Sequence, residues 1–401
     1  MILKNFKKLL LISLTILLML SLLLSGCGSK PAETGNESDN GEQQASGESI
    51  IRIGVYEPMT GASAAGGQMT VEGIELAKEM YPEVLGKKVE LFIVDNKTDK
   101  TESANAVARL IEKDNVSVII GSYGSSNSMA GGQVAKEKKV PVVGCSPTNP
   151  LVTLDNDYYF RVCFIDPFQG KVMAKYAFNT LNAKKAAIIM DMSNDYSVGL
   201  SNFFKQAFVE LTGDENAIVA ETKYKTNDQD FSAQLTTIKD LNPDVIFAPG
   251  NYGESALLIK QARDLGIEAP FLGGDTYEAP EFIEIGGKEV EGVAFSTHYT
   301  AEAPVTEVSK EFLNAFEAKY GQAPSAFAAL GFDAYLVAIE AIEKAGSTDP
   351  QAIRDEIAKI QNFEGATGII TLDENGDANK SAVIKQVKDG EFVYIETVQP
   401  D

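Results

Sequence analysis

The chain has 401 residues, with 35 Lys and Arg against 57 Asp and Glu, a net charge of -22, one His and three Cys. So acidic a chain makes a poor partner for nucleic acid or anionic lipid. No grouping of its Cys, His or carboxylates has metal-ligand spacing, so neither a metal nor any other cofactor is expected.

Residues 1–26 read as a targeting segment. Lys4, Lys7 and Lys8 precede the apolar run "LLLISLTILLMLSLLL", and the run ends in "LSGC". This ending resembles the lipobox of bacterial lipoproteins, which implies cleavage before Cys27 and lipid attachment to it. Residues 27–49 then form a lipidated Cys and a flexible tether, since "GSKPAETGNESDNGEQQASGES" lacks Val, Ile, Leu and aromatic residues. The expected location is the extracytoplasmic face of a bacterial membrane. Cys145 and Cys163 either pair there or stay as two buried thiols; spacing leaves both open.

From residue 50 the chain alternates short branched runs with longer amphipathic ones. "SIIRIGVYEP", "KKVELFIVDN", "VSVIIGSYG" and "VPVVGCSP" read as buried strands, and "GGQMTVEGIELAKEM", "KTESANAVARLIEKDN" and "SMAGGQVAKEKK" as helices between them. The pattern restarts after "YYFRVCFIDPFQG". "KKAAIIMDM", "AIVAETKY", "PDVIFAPG" and "APFLGGDT" give a second strand set, interleaved with three more helices. Two α/β units with mainly parallel sheets and helices on both faces follow. "SAVIKQVKDG" and "EFVYIETV" close the chain as a strand pair turning at "KDG".

Nucleotide and catalytic readings fail on their own requirements. "GSYGSSNS" has no Lys behind its glycines, "GVYEPMTG" is not a dinucleotide fingerprint, and no GxSxG elbow surrounds Ser125 or Ser126. The one His, His298, reads as structural. An enzyme is not expected.

The stretch "VIIGSYGSSNSMAGG" remains. A strand stops at a glycine, hydroxyl residues follow, and a helix begins, which together make an anion site of free N–H groups and Ser hydroxyls. Ser125 and Ser126 serve equally well as helix caps, and Ser146 and Thr148 as turn residues before Pro150. Asp275 after two glycines reads as a turn residue, and Tyr196 as packing at a helix start.

These segments, with "EPMTGASAAGGQMTVEGIELA", "IIGSYGSSNS", "SPTNPLVT", "DPFQGKVMAKYA", "DYSVGLSNFF", "PGNYGESALLIKQARDLG" and "FLGGDTYE" in that order, resemble the branched-chain amino-acid-binding proteins of ABC importers. The resemblance covers residue 50 to the end. It implies the type I periplasmic-binding fold, with lobe 1 from 50–165 plus 298–379 and lobe 2 from 166–297 plus 380–401, joined by a hinge. It further implies that Ser125 and Ser126, with Thr148, hold a ligand carboxylate. Asp275 and the Ser146 carbonyl would accept from an ammonium, and Tyr196 would cover the ligand from the second lobe.

Two positions depart from the family pattern. Gly66 and Asn251 stand where relatives place tyrosines against the ligand side chain, with Tyr252 following Asn251. Gly66 is expected to enlarge that pocket and Asn251 to add hydrogen bonding, so an amino acid other than Leu, Ile or Val remains open. The resemblance implies a monomeric receptor that closes on an amino acid and delivers it to a permease and ATPase. Binding of an amide, urea or aromatic acid, or a sensory role, are the alternatives.

Overall fold

The computed structural model describes residues 50–400. The expectations for the 1–26 signal, for Cys27 and for the 27–49 tether lie outside the described residues. Among the described residues no helix is long and apolar enough to cross a membrane, and no group of His, Cys, Asp and Glu is arranged to hold a metal ion.

The first sheet contains β1 (Ile51–Glu57), β2 (Glu83–Val84), β3 (Lys87–Asp95), β4 (Val118–Ile120), β5 (Val142–Gly144) and β6 (Tyr159–Arg161), in the order β2-β3-β1-β4-β5-β6. All its pairings are parallel except the β2–β3 hairpin. Ile51, Ile53 and Val55 of β1 are buried alongside Gly54 and Tyr56, as a central strand covered on both faces requires. The second sheet contains β7 (Ala186–Asp191), β8 (Ile218–Tyr224), β9 (Val245–Phe247), β10 (Phe271–Gly273) and β11 (Ala294–Thr297). After a small hairpin of β12 (Phe363–Gly365) and β13 (Gly368–Ile370), the chain returns to it as β14 (Ala382–Lys388) and β15 (Glu391–Val398). Its order is β15-β14-β11-β10-β9-β7-β8, antiparallel only at the β11, β14 and β15 edge.

The helices are α1 (Ala64–Met80), α2 (Lys100–Glu112), α3 (Ser125–Lys138), α4 (Asp166–Lys175), α5 (Asp195–Thr212), α6 (Ser232–Leu241) and α7 (Tyr252–Asp264), followed by α8 (Pro280–Gly286), α9 (Glu307–Tyr320), α10 (Ala326–Ala345) and α11 (Pro350–Ile357). The terminal hairpin turns at Asp389 and Gly390, both at positive φ, the backbone a two-residue turn of matching twist needs. β6 lies within the stretch that reads as a break between units, and β11 is too short to give a period of its own.

In each sheet the strand order reverses beside the first strand: β1 lies between β3 and β4, and β7 between β8 and β9. Loops leaving neighbouring strands at such a point diverge and open a crevice at the carboxyl edge. The loops after β1 and β4 on one lobe thus face those after β7 and β9 on the other. Cys145 and Cys163 are separate buried thiols, and burial pushes the Cys163 thiol up to about 12.

Candidate functional site

The two crevices close on a cavity of about 40 Å³ lined by Ser63, Tyr123, Gly124, Ser125 and Ser146 from the first lobe and Asn194, Tyr196, Asn251, Asp275 and Thr276 from the second. That volume exceeds what a single water needs. Of the residues the sequence singles out, Ser125, Ser146, Tyr196, Asn251 and Asp275 meet at this cavity. Ser126, Thr148, Tyr252 and Gly66 stand around it.

One wall is the start of α3. Gly124, at φ 88, turns the chain from β4 into the helix, a conformation glycine adopts without steric cost. Gly124 therefore occupies the cap position and supplies no side-chain cap, so Ser125 and Ser126 do not serve as caps. The Ser125 hydroxyl accepts from the Asn149 N–H at 3.1 Å, which leaves its own proton free to donate. The opening N–H groups of the helix point the same way.

The opposite wall is built around Asp275. Its Oδ1 accepts from Gln169 Nε2 and from the Tyr196 hydroxyl, both at 2.8 Å, and Oδ2 faces His298 Nε2 at 3.1 Å. Gln169 is itself tied to the Ser296 hydroxyl at 3.0 Å, and His298 stacks on Phe164 with centroids 3.9 Å apart. Asp275 is thus fixed from α4, α5 and the end of β11. His298 is not a bystander in the core: at Asp275 it supports the acid. Tyr196 does more than cover the space, since it donates to the same carboxylate; its burial, and then the charge of that carboxylate, raise the phenol pKa.

Thr148 is buried one step behind the cavity. Its loop is held by Arg161, which donates to the carbonyls of Pro147 at 2.6 Å and Asn149 at 2.9 Å and pairs with Asp377 at 2.6 Å. The hydroxyls of Ser146 and Thr148 have no partner among the described residues.

Ser126 faces the other lobe instead of the cavity. Its hydroxyl donates to Asp195 Oδ2 at 2.7 Å and accepts from the Asp195 N–H at 3.1 Å. Lys100 reaches the same Oδ2 at 3.0 Å, and Asn149 donates to the Asp195 carbonyl at 2.7 Å. A second bridge uses Asn251, which donates to the Ala62 carbonyl at 2.7 Å and accepts from Ser63, while the Tyr252 hydroxyl accepts from the Ala65 N–H at 3.2 Å. Tyr252 therefore closes the lobes without lining the cavity, and part of the hydrogen-bonding capacity expected of Asn251 goes to the same task.

The expected enlargement at Gly66 does not occur. The Tyr123 ring fills the space over this glycine, so that a Cβ at position 66 would stand 2.6 Å from Cζ. Tyr123 is buried, packs edge-on against Phe327 at 4.9 Å, and its hydroxyl has no partner among the described residues. An aromatic ring is retained at this end of the cavity, carried by the β4 loop instead of α1. Reading Gly66 alone missed it; the Tyr in "GSYGSS" was the available signal.

Two α/β lobes, crevices at their switch points, a helix N-terminus on one wall and a fixed acid on the other define a two-lobed solute-binding protein. The sequence matches the Periplasmic binding protein family over residues 50–391, and the chain belongs to that family. It is 30% identical over 357 residues to Leu/Ile/Val-binding protein homolog 3 of Brucella melitensis, covering 86% of this chain and 94% of the relative. Among solved structures it is similar to the leucine-binding protein LivK of Thermotoga maritima, with 48% identity, TM-score 0.85, and coverage of 88% of this chain and 99% of the other. It is also similar to the branched-chain amino acid transporter substrate-binding protein LivJ of Streptococcus pneumoniae in complex with isoleucine, with 31% identity, TM-score 0.82, and coverage of 88% and 100%. These relatives are binding proteins and not enzymes.

Proposed function

We propose that the protein is the extracytoplasmic receptor of an ABC importer, capturing an α-amino acid between its lobes and presenting the closed form to a permease driven by a separate ATPase. The observation that carries this reading is the polarity of the cavity. Ser125 and the N-terminus of α3 stand on one wall and the Asp275 carboxylate on the other, a match for the carboxylate and ammonium of a zwitterion. Ser125 donates to the carboxylate together with the helix N–H groups. Thr148 adds a hydroxyl from behind, and the Ser146 carbonyl joins Asp275 in accepting from the ammonium. Tyr123, Ser63 and Asn251 surround the side chain. The leucine and isoleucine binders among its relatives support an amino-acid cargo.

Ligand contacts to both walls exist only when the lobes meet, so binding shifts the population toward the closed form. Asp275→Ala tests the site: calorimetric titration with the preferred amino acid should show a loss of binding of at least 100-fold in a folded variant, and near-normal affinity would remove Asp275 from the site. We further propose that the receptor is a monomer held at the extracytoplasmic face of the cell membrane through lipid on Cys27. Cys27→Ser should move it from the detergent phase to the aqueous phase on phase partitioning; retention in detergent would contradict the anchor.

A further inference from the structure

A second chamber, of about 120 Å³, lies against the cavity, and the two share Ser63, Tyr123, Gly124 and Asn194 as a common wall. Lys100, Ser126 and Asn127 of the first lobe and Thr226 of the second stand on its other sides. Among the described residues no Val, Leu, Ile, Met or Phe lines either space. A branched aliphatic side chain would lie there against hydroxyls and amides and leave them without partners, at a cost in free energy for each.

Local folding does not account for Asn127. It stands in the first turn of α3, where Gly124 already holds the cap position, and Asn is a poor helix former that is favoured where its side chain bonds the backbone. Its amide bonds nothing among the described residues, although the residue is only 6% exposed. Unlike the hydroxyls of Ser146 and Thr148, its polar atoms are not sealed off, and it lines the chamber.

Other donors gather around it. Asn194 accepts from the Tyr196 N–H through Oδ1 at 3.1 Å, which leaves its NH2 group to donate. Lys100 places one of its three ammonium donors on Asp195 Oδ2 at 3.0 Å and keeps two. The carboxylates that adjoin the chamber are engaged, Asp195 by Ser126 and Lys100 and Asp191 by Thr226 and the Ser193 N–H. The chamber therefore offers donors and lacks an acceptor to match them.

We propose that this chamber receives the far end of the ligand side chain, and that the cargo is an amino acid whose side chain ends in a carbonyl oxygen: glutamine, glutamate, asparagine or aspartate. The proposal rests on the amino-acid reading above and names its substrate class. With the ammonium held at Asp275 and the carboxylate at Ser125, the side chain passes the common wall at Ser63 and Tyr123. Its terminal oxygen accepts from the Asn127 amide and the Lys100 ammonium. A site built to pair a polar side chain rejects an apolar one of similar shape, because its own groups are then left unpaired.

The test is calorimetric titration of the full chain, stripped of copurified ligand by unfolding and refolding, with each of the twenty protein amino acids. The best binder should be one of the four, and it should bind at least 30-fold more tightly than leucine or methionine, the apolar counterparts of similar shape. Any amino acid without a side-chain carbonyl that binds as tightly overturns the proposal and leaves the amino-acid reading standing. Asn127→Ala then assigns the contact, with alanine as a ligand too short to reach the chamber. The ratio of the best binder's affinity to that of alanine should fall at least tenfold. A ratio equal to that of the wild type overturns the assignment, since a purely structural role would move both affinities together. If Asn127→Ala does not fold, Lys100→Met supplies the same comparison. If no amino acid binds the wild type but amides or aromatic acids do, the amino-acid reading fails and takes the proposal with it.

Discussion

A Cβ on residue 66 would lie 2.6 Å from Cζ of Tyr123, well inside van der Waals contact, so the glycine and the tyrosine are required together. The ring has its own support from Phe327 and cannot simply withdraw. Gly66→Ala should destabilise the fold by about 1–3 kcal/mol and, by displacing the Tyr123 ring, weaken binding. Tyr123→Ala should open the side-chain end of the cavity, so that binding of phenylalanine improves relative to that of alanine. Titration of both amino acids into each variant checks this, and an unchanged preference in Tyr123→Ala would detach Tyr123 from specificity.

His298 gives Asp275 a third partner from the end of β11. His298→Phe keeps a flat ring against Phe164 but removes the polar atom facing Asp275. A hydrogen bond to a charged group contributes about 1.5–3 kcal/mol, so affinity for the preferred amino acid should fall at least tenfold with the fold retained. A calorimetric titration showing wild-type affinity would return His298 to a packing role.

Asp195 joins the lobes without lining the cavity, through Ser126, Lys100 and Asn149. Asp195→Ala should cost about 0.5–2 kcal/mol of closure, seen as a roughly 2–30-fold weaker affinity for every ligand with no change in their ranking. Small-angle scattering of the liganded variant should show a larger open fraction than wild type at equal subsaturating ligand. A changed ranking would mean that Asp195 contacts ligand instead.

Glu57, at the end of β1, accepts from the Tyr123 N–H at 2.6 Å and is wholly buried, which pushes its carboxyl from 4.5 up to about 8. A pKa raised by folding makes this group's contribution complete below pH 4.5 and lost as pH rises through 8. Glu57→Gln keeps an acceptor for Tyr123 and cannot ionise. The variant should melt close to wild type at pH 5 and above it at pH 9. Parallel melting curves at both values would show that Glu57 does not titrate in this window.

The long periodic elements were legible in sequence because each is buried in a regular way. β1 and β3 carry branched residues between turn signals, and α1, α2 and α5 carry apolar residues at helical spacing. β11 and the β12–β13 hairpin were not, since four or three residues give no period to read. In the site, Ser125, Ser146, Asn251, Tyr196 and Asp275 stood in recognisable motifs at strand ends and helix starts. Gln169 and His298 did not announce themselves, and Tyr123 stood in "GSYGSS" with nothing local to show that its ring covers Gly66. Their roles come from packing across distant parts of the chain, with Gln169 lying 106 residues from Asp275. The error at Gly66 had the same origin, because a missing side chain says nothing of which neighbour moves into its place.

The central claim is that this cavity recognises a zwitterion. The most direct measurement is calorimetric titration of the ligand-stripped protein with the twenty amino acids, followed by the deaminated and the amidated analogue of the best binder. The account requires one or more amino acids to bind, and both analogues, each missing one charge, to bind at least 100-fold more weakly. Binding of either analogue as tightly as the amino acid itself would contradict it.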